Sequence, residues 1–154
     1  MNLINHIPYY DDKFKRAVFL VLSEYCYFDY LGKKTIIYSG FKFDGCSRPW
    51  FLEKYLPLNS INNLAFARHD WGYYSQDKTR QQCDMQLFID LLRNPANSLT
   101  KCLAVYLNLR IFGAIAWNEN KKLKKTKGKD YFIMPKHQLK QIIDSLTMPT
   151  LQIN

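Results

Sequence analysis

The sequence predicts a mainly α-helical single domain with a small N-terminal β-hairpin, and three observations carry that prediction. Two segments with helical character, one around His69 and one around Asp84, flank the polar stretch Ser75-Gln76-Asp77-Lys78-Thr79. A third and longer one follows Asn94-Pro95, where proline ends the preceding helix and disfavours helix in the residue before it. Upstream, the β-branched and aromatic runs Ala17–Tyr30 and Thr35–Tyr38 flank Leu31-Gly32-Lys33-Lys34, a turn. With 154 residues, 47% of them hydrophobic, the chain 1–154 builds one core without staples.

Taken in order, residues 1 to 16 are polar and aromatic and show no clear element. Ala17–Tyr30 reads as a strand whose second half alternates, with a helix through Leu22 as the alternative, and Thr35–Tyr38 returns as its hairpin partner. The loop Gly40–Pro49 follows. Gly45 frees the backbone to turn carbonyls inward and Asp44 supplies a charged oxygen, which makes half of a cation site. The competing reading is an ordinary turn in which Asp44 or Ser47 caps the next helix. Trp50–Leu58 is apolar and aromatic, a short helix or loop, and Asn59–Asn63 offers caps for the helix that carries His69.

His69 and Asp84 would lie about 22 Å apart on one continuous helix at about 1.5 Å per residue. A reversal near Gln76 or Asp77, with Ser75, Asp77 or Thr79 as the new N-cap, instead places each about two turns from the bend and side by side. The second helix shows Met85, Phe88, Leu91 and Leu92 as one apolar stripe with Asp84 at its edge, where a buried carboxylate needs a partner such as His69.

The third helix runs from Leu99 to about Asn118, with Leu103, Tyr106, Leu107, Arg110 and Ile111 on one core-packing face and Gly113 admitting another backbone. Residues 119–130 form a basic loop containing Lys121, Lys122, Lys124, Lys125, Lys127 and Lys129. Each lysine adds about 1 kcal/mol near an anionic membrane. The same run binds nucleic-acid phosphates without sequence preference, although it lacks interleaved aromatics for stacking bases. Residues 135–146 read as a short amphipathic helix and the remainder to 154 as a tail.

The net charge of +9 directs the surface toward polyanions, whether anionic lipid headgroups, nucleic acid or an acidic protein, without choosing among them. The apolar run Ala17–Leu22 is far short of the 18 or more residues of a spanning helix, and Asp11-Asp12 precede it, so the expectation is a chain cytoplasmic as synthesised, with delivery elsewhere or into a virion left open. Cys26, Cys46, Cys83 and Cys102 lack zinc-site spacing; they read as free thiols, with two disulfides as the alternative.

The ordered set Phe43-Asp44-Gly45-Cys46-Ser47-Arg48-Pro49, Ala67-Arg68-His69-Asp70-Trp71-Gly72-Tyr73, Arg80 with Asp84 and Phe88, and Arg110-Ile111-Phe112-Gly113 resembles two groups. One is the phage and bacterial domain of unknown function numbered 1353 (DUF1353); the other is the small secreted bacterial phospholipases A2. The match covers about residues 25–117. The second resemblance implies a phospholipase A2-like core in which two antiparallel helices carry the His-Asp and Asp positions. It also implies His69 as general base on a water, Asp84 orienting it, Tyr73 hydrogen-bonded to Asp84, and Ca²⁺ held by Asp44, Asp70 and the Gly45 carbonyl. Phe66 stands where the secreted enzymes have a cysteine, which leaves Cys46 without the partner that pattern implies. The expected function is a Ca²⁺-dependent lipid esterase, a carboxylic ester hydrolase, and with it the expected partner is an anionic phospholipid membrane surface, with nucleic acid second. The alternative is a non-enzymatic phage-derived structural or interaction protein that keeps the fold.

Overall fold

Runs of β-branched and aromatic residues build two small antiparallel sheets from the first part of the chain. The computed structural model describes residues 4–11, 16–43, 60–127 and 131–147. The strands are β1 (His6–Asp11), β2 (Arg16–Val21), β3 (Tyr25–Phe28), β4 (Lys34–Ile37) and β5 (Lys42–Phe43). β2 is central in the order β1-β2-β5, with His6 opposite Val21 and Phe19 opposite Phe43. β3 and β4 form the predicted hairpin as a separate pair, with Gly32 at φ 78° in its turn.

Two expectations about this region are corrected. The first sixteen residues do contain a strand, β1, because Ile7 and Tyr9 pack against the apolar cluster of Leu20, Met134 and Leu139. Ala17–Tyr30 is not one strand: Leu22-Ser23-Glu24 interrupts it, and the two halves pair in different sheets. The loop residues Asp44, Gly45 and Cys46, and the stretch Trp50–Leu58, lie outside the described residues.

Four helices follow: α1 (Ser60–Ser75), α2 (Arg80–Leu92), α3 (Leu99–Lys127) and α4 (Lys136–Thr147). α1 is buried on nearly every side, including its polar residues Asn62, Asn63, Arg68 and His69, which find partners on neighbouring elements. Leu64, Ala67, Trp71 and Tyr74 pack on Val21, Tyr25, Ile37, Phe41 and Phe43 of the sheet region. On its other side Ala65 and Phe66 meet Leu87 and Leu91 of α2 and Cys102 and Val105 of α3. α4 covers the three-stranded sheet through Leu139, beside Leu20 and Met134.

The chain reverses where the polar stretch predicts. Gln76 takes φ 53°, and its side-chain amide donates to the Trp117 carbonyl at 3.0 Å. Thr79 caps α2: its side chain accepts from the Gln82 N–H, and the Gln82 side chain accepts from the Thr79 N–H at 2.9 Å. Of the three cap candidates only Thr79 has a glutamine three residues later, which closes a capping box.

Three sequence-based readings of the helices are corrected. The inward face of α2 is Cys83, Asp84, Gln86, Leu87, Asp90 and Leu91, so Asp84 sits inside the buried face and Leu92 outside it. Polar partners on α1, on α3 and at Tyr30 after β3, not apolar spacing, decide that face. α3 continues through the expected basic loop to Lys127, since lysine is a good helix former and cations suit a helix C-terminus. Finally, α3 buries Cys102, Val105 and Gly113, whereas Leu103, Leu107 and Ile111, expected in the core, are 44%, 50% and 68% exposed. α3 is also long and apolar enough to cross a membrane: an 18-residue window reaches a mean hydropathy of 1.4, with 17% of it buried.

Candidate functional site

Asp84 is the centre of a polar cluster built by three helices. His69 and Tyr73 lie one turn apart on α1 and face α2 together. His69 Nε2 is 3.1 Å from Asp84 Oδ1, and the Tyr73 hydroxyl donates to the same oxygen at 2.7 Å. From α3, Arg110 Nη1 donates to Asp84 Oδ2 at 2.7 Å, and Arg80 Nη1 is 3.8 Å from that oxygen. Asp84 has no solvent exposure.

Two glycines let the helices come this close. A Cβ on Gly72 would meet the Cys83 Sγ at 2.6 Å, and one on Gly113 would meet the Tyr73 hydroxyl at 2.5 Å. Arg80 donates to the Leu109 carbonyl at 2.8 Å, so α2 and α3 are fastened beside the cluster. The Tyr73 ring packs on His69 at 4.2 Å and edge-on to Trp117 at 5.1 Å.

The electrostatics follow from these contacts. Burial pushes the Asp84 carboxyl up, but the bonds from His69, Tyr73 and Arg110 outweigh it and hold its pKa below the ordinary carboxylate value. Burial pulls His69 down, and the Asp70 and Asp84 carboxylates more than reverse that, so its pKa lies above the usual value near 6.5. Asp70 Oδ1 is 3.5 Å from His69 Nδ1, so a carboxylate stands at each ring nitrogen. Burial and then the Asp84 charge raise the Tyr73 phenol, and the same two causes push the Cys83 thiol up to about 12. Cys83 is therefore a packed thiol rather than a nucleophile.

His69 and Asp70 line a cleft of about 540 Å³ whose other walls include Phe43, Phe66, Phe112, Ile115 and Leu123. The volume falls in the range of small-molecule sites. Phe112 and Ile115 are largely exposed, so the cleft opens beside α3. A second buried network braces α1 against α2: Arg68 donates to Asp90 at 3.0 Å and to the Tyr25 hydroxyl at 2.7 Å.

Of the residues singled out from the sequence, His69, Asp84, Tyr73 and Asp70 are brought together. Asp44 and Gly45 lie outside the described residues, although β5 ends at Phe43 on the cleft wall. Among the described residues no group of three or more His, Cys, Asp or Glu is arranged to hold a metal ion. Cys26, Cys83 and Cys102 are free thiols, and Cys46 is not described. Arg80 and Arg110 were missed as partners of Asp84. The spacing of Arg80 and Asp84, four residues apart on a helix, was a signal for the first.

No curated protein and no solved structure is significantly similar to the chain. Residues 19–109 match the family described as protein of unknown function DUF1353. That span holds β3, β4 and β5, α1 and α2, the part of α3 up to Leu109, and every member of the cluster except Arg110. The chain therefore belongs to the DUF1353 family.

Proposed function

We propose that the protein is a Ca²⁺-dependent, phospholipase A2-like lipid esterase in which His69 activates a water against a phospholipid ester. The observation that carries this reading is the Asp84–His69 pair, with Nε2 engaged at 3.1 Å, at the wall of an apolar cleft that Asp70 also lines. Aromatic and aliphatic side chains make up most of the cleft wall, with Lys42, Asn108, Glu119 and Asn120 among them, and such a wall suits an acyl chain whose ester end must meet the histidine.

In this mechanism Asp84 holds Nε2–H and fixes the tautomer, and Nδ1 takes a proton from water with the Asp70 carboxylate turned away from its 3.5 Å contact with that nitrogen. The resulting hydroxide bonds to the ester carbonyl carbon. As the carbon–oxygen bond to the alcohol breaks, Nδ1–H returns its proton to the departing alkoxide, and fatty acid and lysolipid are released. Tyr73 and Arg110 keep Asp84 ionised through the cycle.

The donor set fits a hard cation. Asp70 is 22% exposed at its side chain and lines the cleft, and Asp44 and Gly45 follow Phe43, another wall residue. Carboxylates and a backbone carbonyl are the oxygens Ca²⁺ takes. Asp70, Asp44 and the Gly45 carbonyl would hold the ion, and when bound it supplies positive charge where the oxyanion forms. If so, millimolar Ca²⁺ raises Tm, and Asp70→Asn or Asp44→Asn abolishes that rise; a rise retained in either variant removes that residue from the site.

The reading is tested with a short-chain phospholipid kept monomeric. Fatty acid released with Ca²⁺, and neither with chelator nor by His69→Ala, supports it; equal release by His69→Ala overturns it. A second reading draws on the same cluster: Asp84, fully buried on α2 and bonded from α1 and α3, is a sufficient structural tie with no chemistry to perform. It predicts that His69→Ala changes only stability.

A further inference from the structure

The outward side of α3 is built in two parts. Leu103, Leu107, Ile111 and Ile115 succeed one another every four residues and are 44%, 50%, 68% and 64% exposed, which makes an apolar ridge about 18 Å long at about 1.5 Å per residue. Lys121, Lys122 and Lys125, all exposed, continue the same side toward the helix C-terminus. Lys124 does not belong to it, because its ammonium bonds the Ser75 carbonyl and lies 5.9 Å from the Tyr74 ring centre. The single carboxylate of α3, Glu119, borders the cleft instead.

We infer that this side of α3 lays the protein on an anionic lipid bilayer, the ridge entering the acyl boundary and the three lysines meeting headgroup phosphates. The inference deepens the lipid-esterase reading by naming its docking surface, yet it is decided by binding alone. Charge complementarity selects the occupant. A second copy laid parallel on the ridge would oppose lysines with lysines, and laid antiparallel would set lysines on leucines. Anionic headgroups above an acyl layer satisfy both halves together.

Two further observations fix the orientation. Phe112 and Ile115 border the cleft that reaches His69, so a bilayer under the ridge brings lipid esters to the cleft mouth. The helix lies along the membrane rather than across it. Arg110, midway along α3, is bonded to Asp84 at 2.7 Å, and Gly113 backs onto Tyr73; crossing the bilayer would break both contacts.

The test is co-sedimentation of the full chain with phosphatidylglycerol–phosphatidylcholine vesicles and with pure phosphatidylcholine vesicles at low salt, beside sedimentation velocity without lipid. The wild type binds the mixed vesicles more tightly than the neutral ones. Leu107→Ser with Ile111→Ser weakens binding by about tenfold or more. Lys121→Gln, Lys122→Gln and Lys125→Gln together weaken it about a hundredfold. All these side chains are exposed, so circular dichroism melts stay unchanged. His69→Ala binds as the wild type does, which separates docking from hydrolysis: binding without hydrolysis sinks only the esterase reading.

Wild-type indifference to anionic vesicles overturns the inference, as does undiminished binding by the serine variant. A wild-type dimer that the serine variant turns into a monomer, with vesicle binding intact, overturns it in favour of a second copy.

Discussion

Asp84 is a carboxylate with no water around it, and burying one alone costs several kcal/mol. His69, Tyr73, Arg110 and Arg80 supply what water would have. Asp84→Ala leaves the Arg110 charge and the Tyr73 hydroxyl without their acceptor, so urea unfolding should register a loss of about 3 kcal/mol. Opposite pKa shifts give a pH signature. The depressed Asp84 contributes stability that is complete above about 3.8 and is lost as pH falls through its folded-state pKa. The raised His69 contributes stability complete below about 6.5 and lost as pH rises through its folded-state value. Urea midpoints should therefore be highest between those limits, and His69→Gln should flatten the decline on the alkaline side; an unaltered decline would show that other groups cause it. At this scale the pairing of His69 with Asp84 was legible, because a polar break halfway between them forces a reversal. The arginines were not, because Arg110 is distant in sequence and sits among apolar neighbours that read as core.

At the scale of elements, the α1–α2 hairpin follows from local chemistry: a cap, a glutamine three residues on, and a left-handed Gln76. The inward face of α2 does not, since Asp84, Gln86 and Asp90 are buried there for partners supplied by other segments. α3 was misread for a related reason. Its leucines and isoleucines have helical spacing, but contact with α1 and α2 runs through the small residues Cys102 and Gly113 and through Val105. Close approach, not apolar mass, selects that face. Gly113→Ala tests the point. It gains about 1 kcal/mol in helix propensity, but its methyl would stand 2.5 Å from the Tyr73 hydroxyl and 3.3 Å from Arg80 Nη1. Overpacking of that kind costs roughly 1–3 kcal/mol, so Tm should fall and hydrolysis with it. A Tm equal to or above wild type would mean that α3 is not held as tightly as the cluster requires.

At the scale of the molecule, a central buried helix joins two regions with different tasks. The sheets and α4 close one side of the core and α2 and α3 the other, Asp84 of α2 engages His69 of α1, and the cleft runs between α3 and the β5 side of the sheet. The net charge of +9 was readable at once, but its meaning depended on learning that the lysines extend a helix whose outward side is apolar. Polar cluster, cleft mouth and exposed ridge lie on or beside α3, so the proposed hydrolysis and the proposed docking would be coupled through one element. The measurement that tests this most directly is fatty-acid release from mixed anionic and zwitterionic vesicles in Ca²⁺, comparing wild type, His69→Ala and the Leu107→Ser, Ile111→Ser variant. With His69 as the base and α3 as the docking surface, wild type releases fatty acid, His69→Ala releases none, and the serine variant releases less in proportion to its weaker vesicle binding. Absence of release from wild type that demonstrably binds the vesicles, or release that survives His69→Ala, would contradict it.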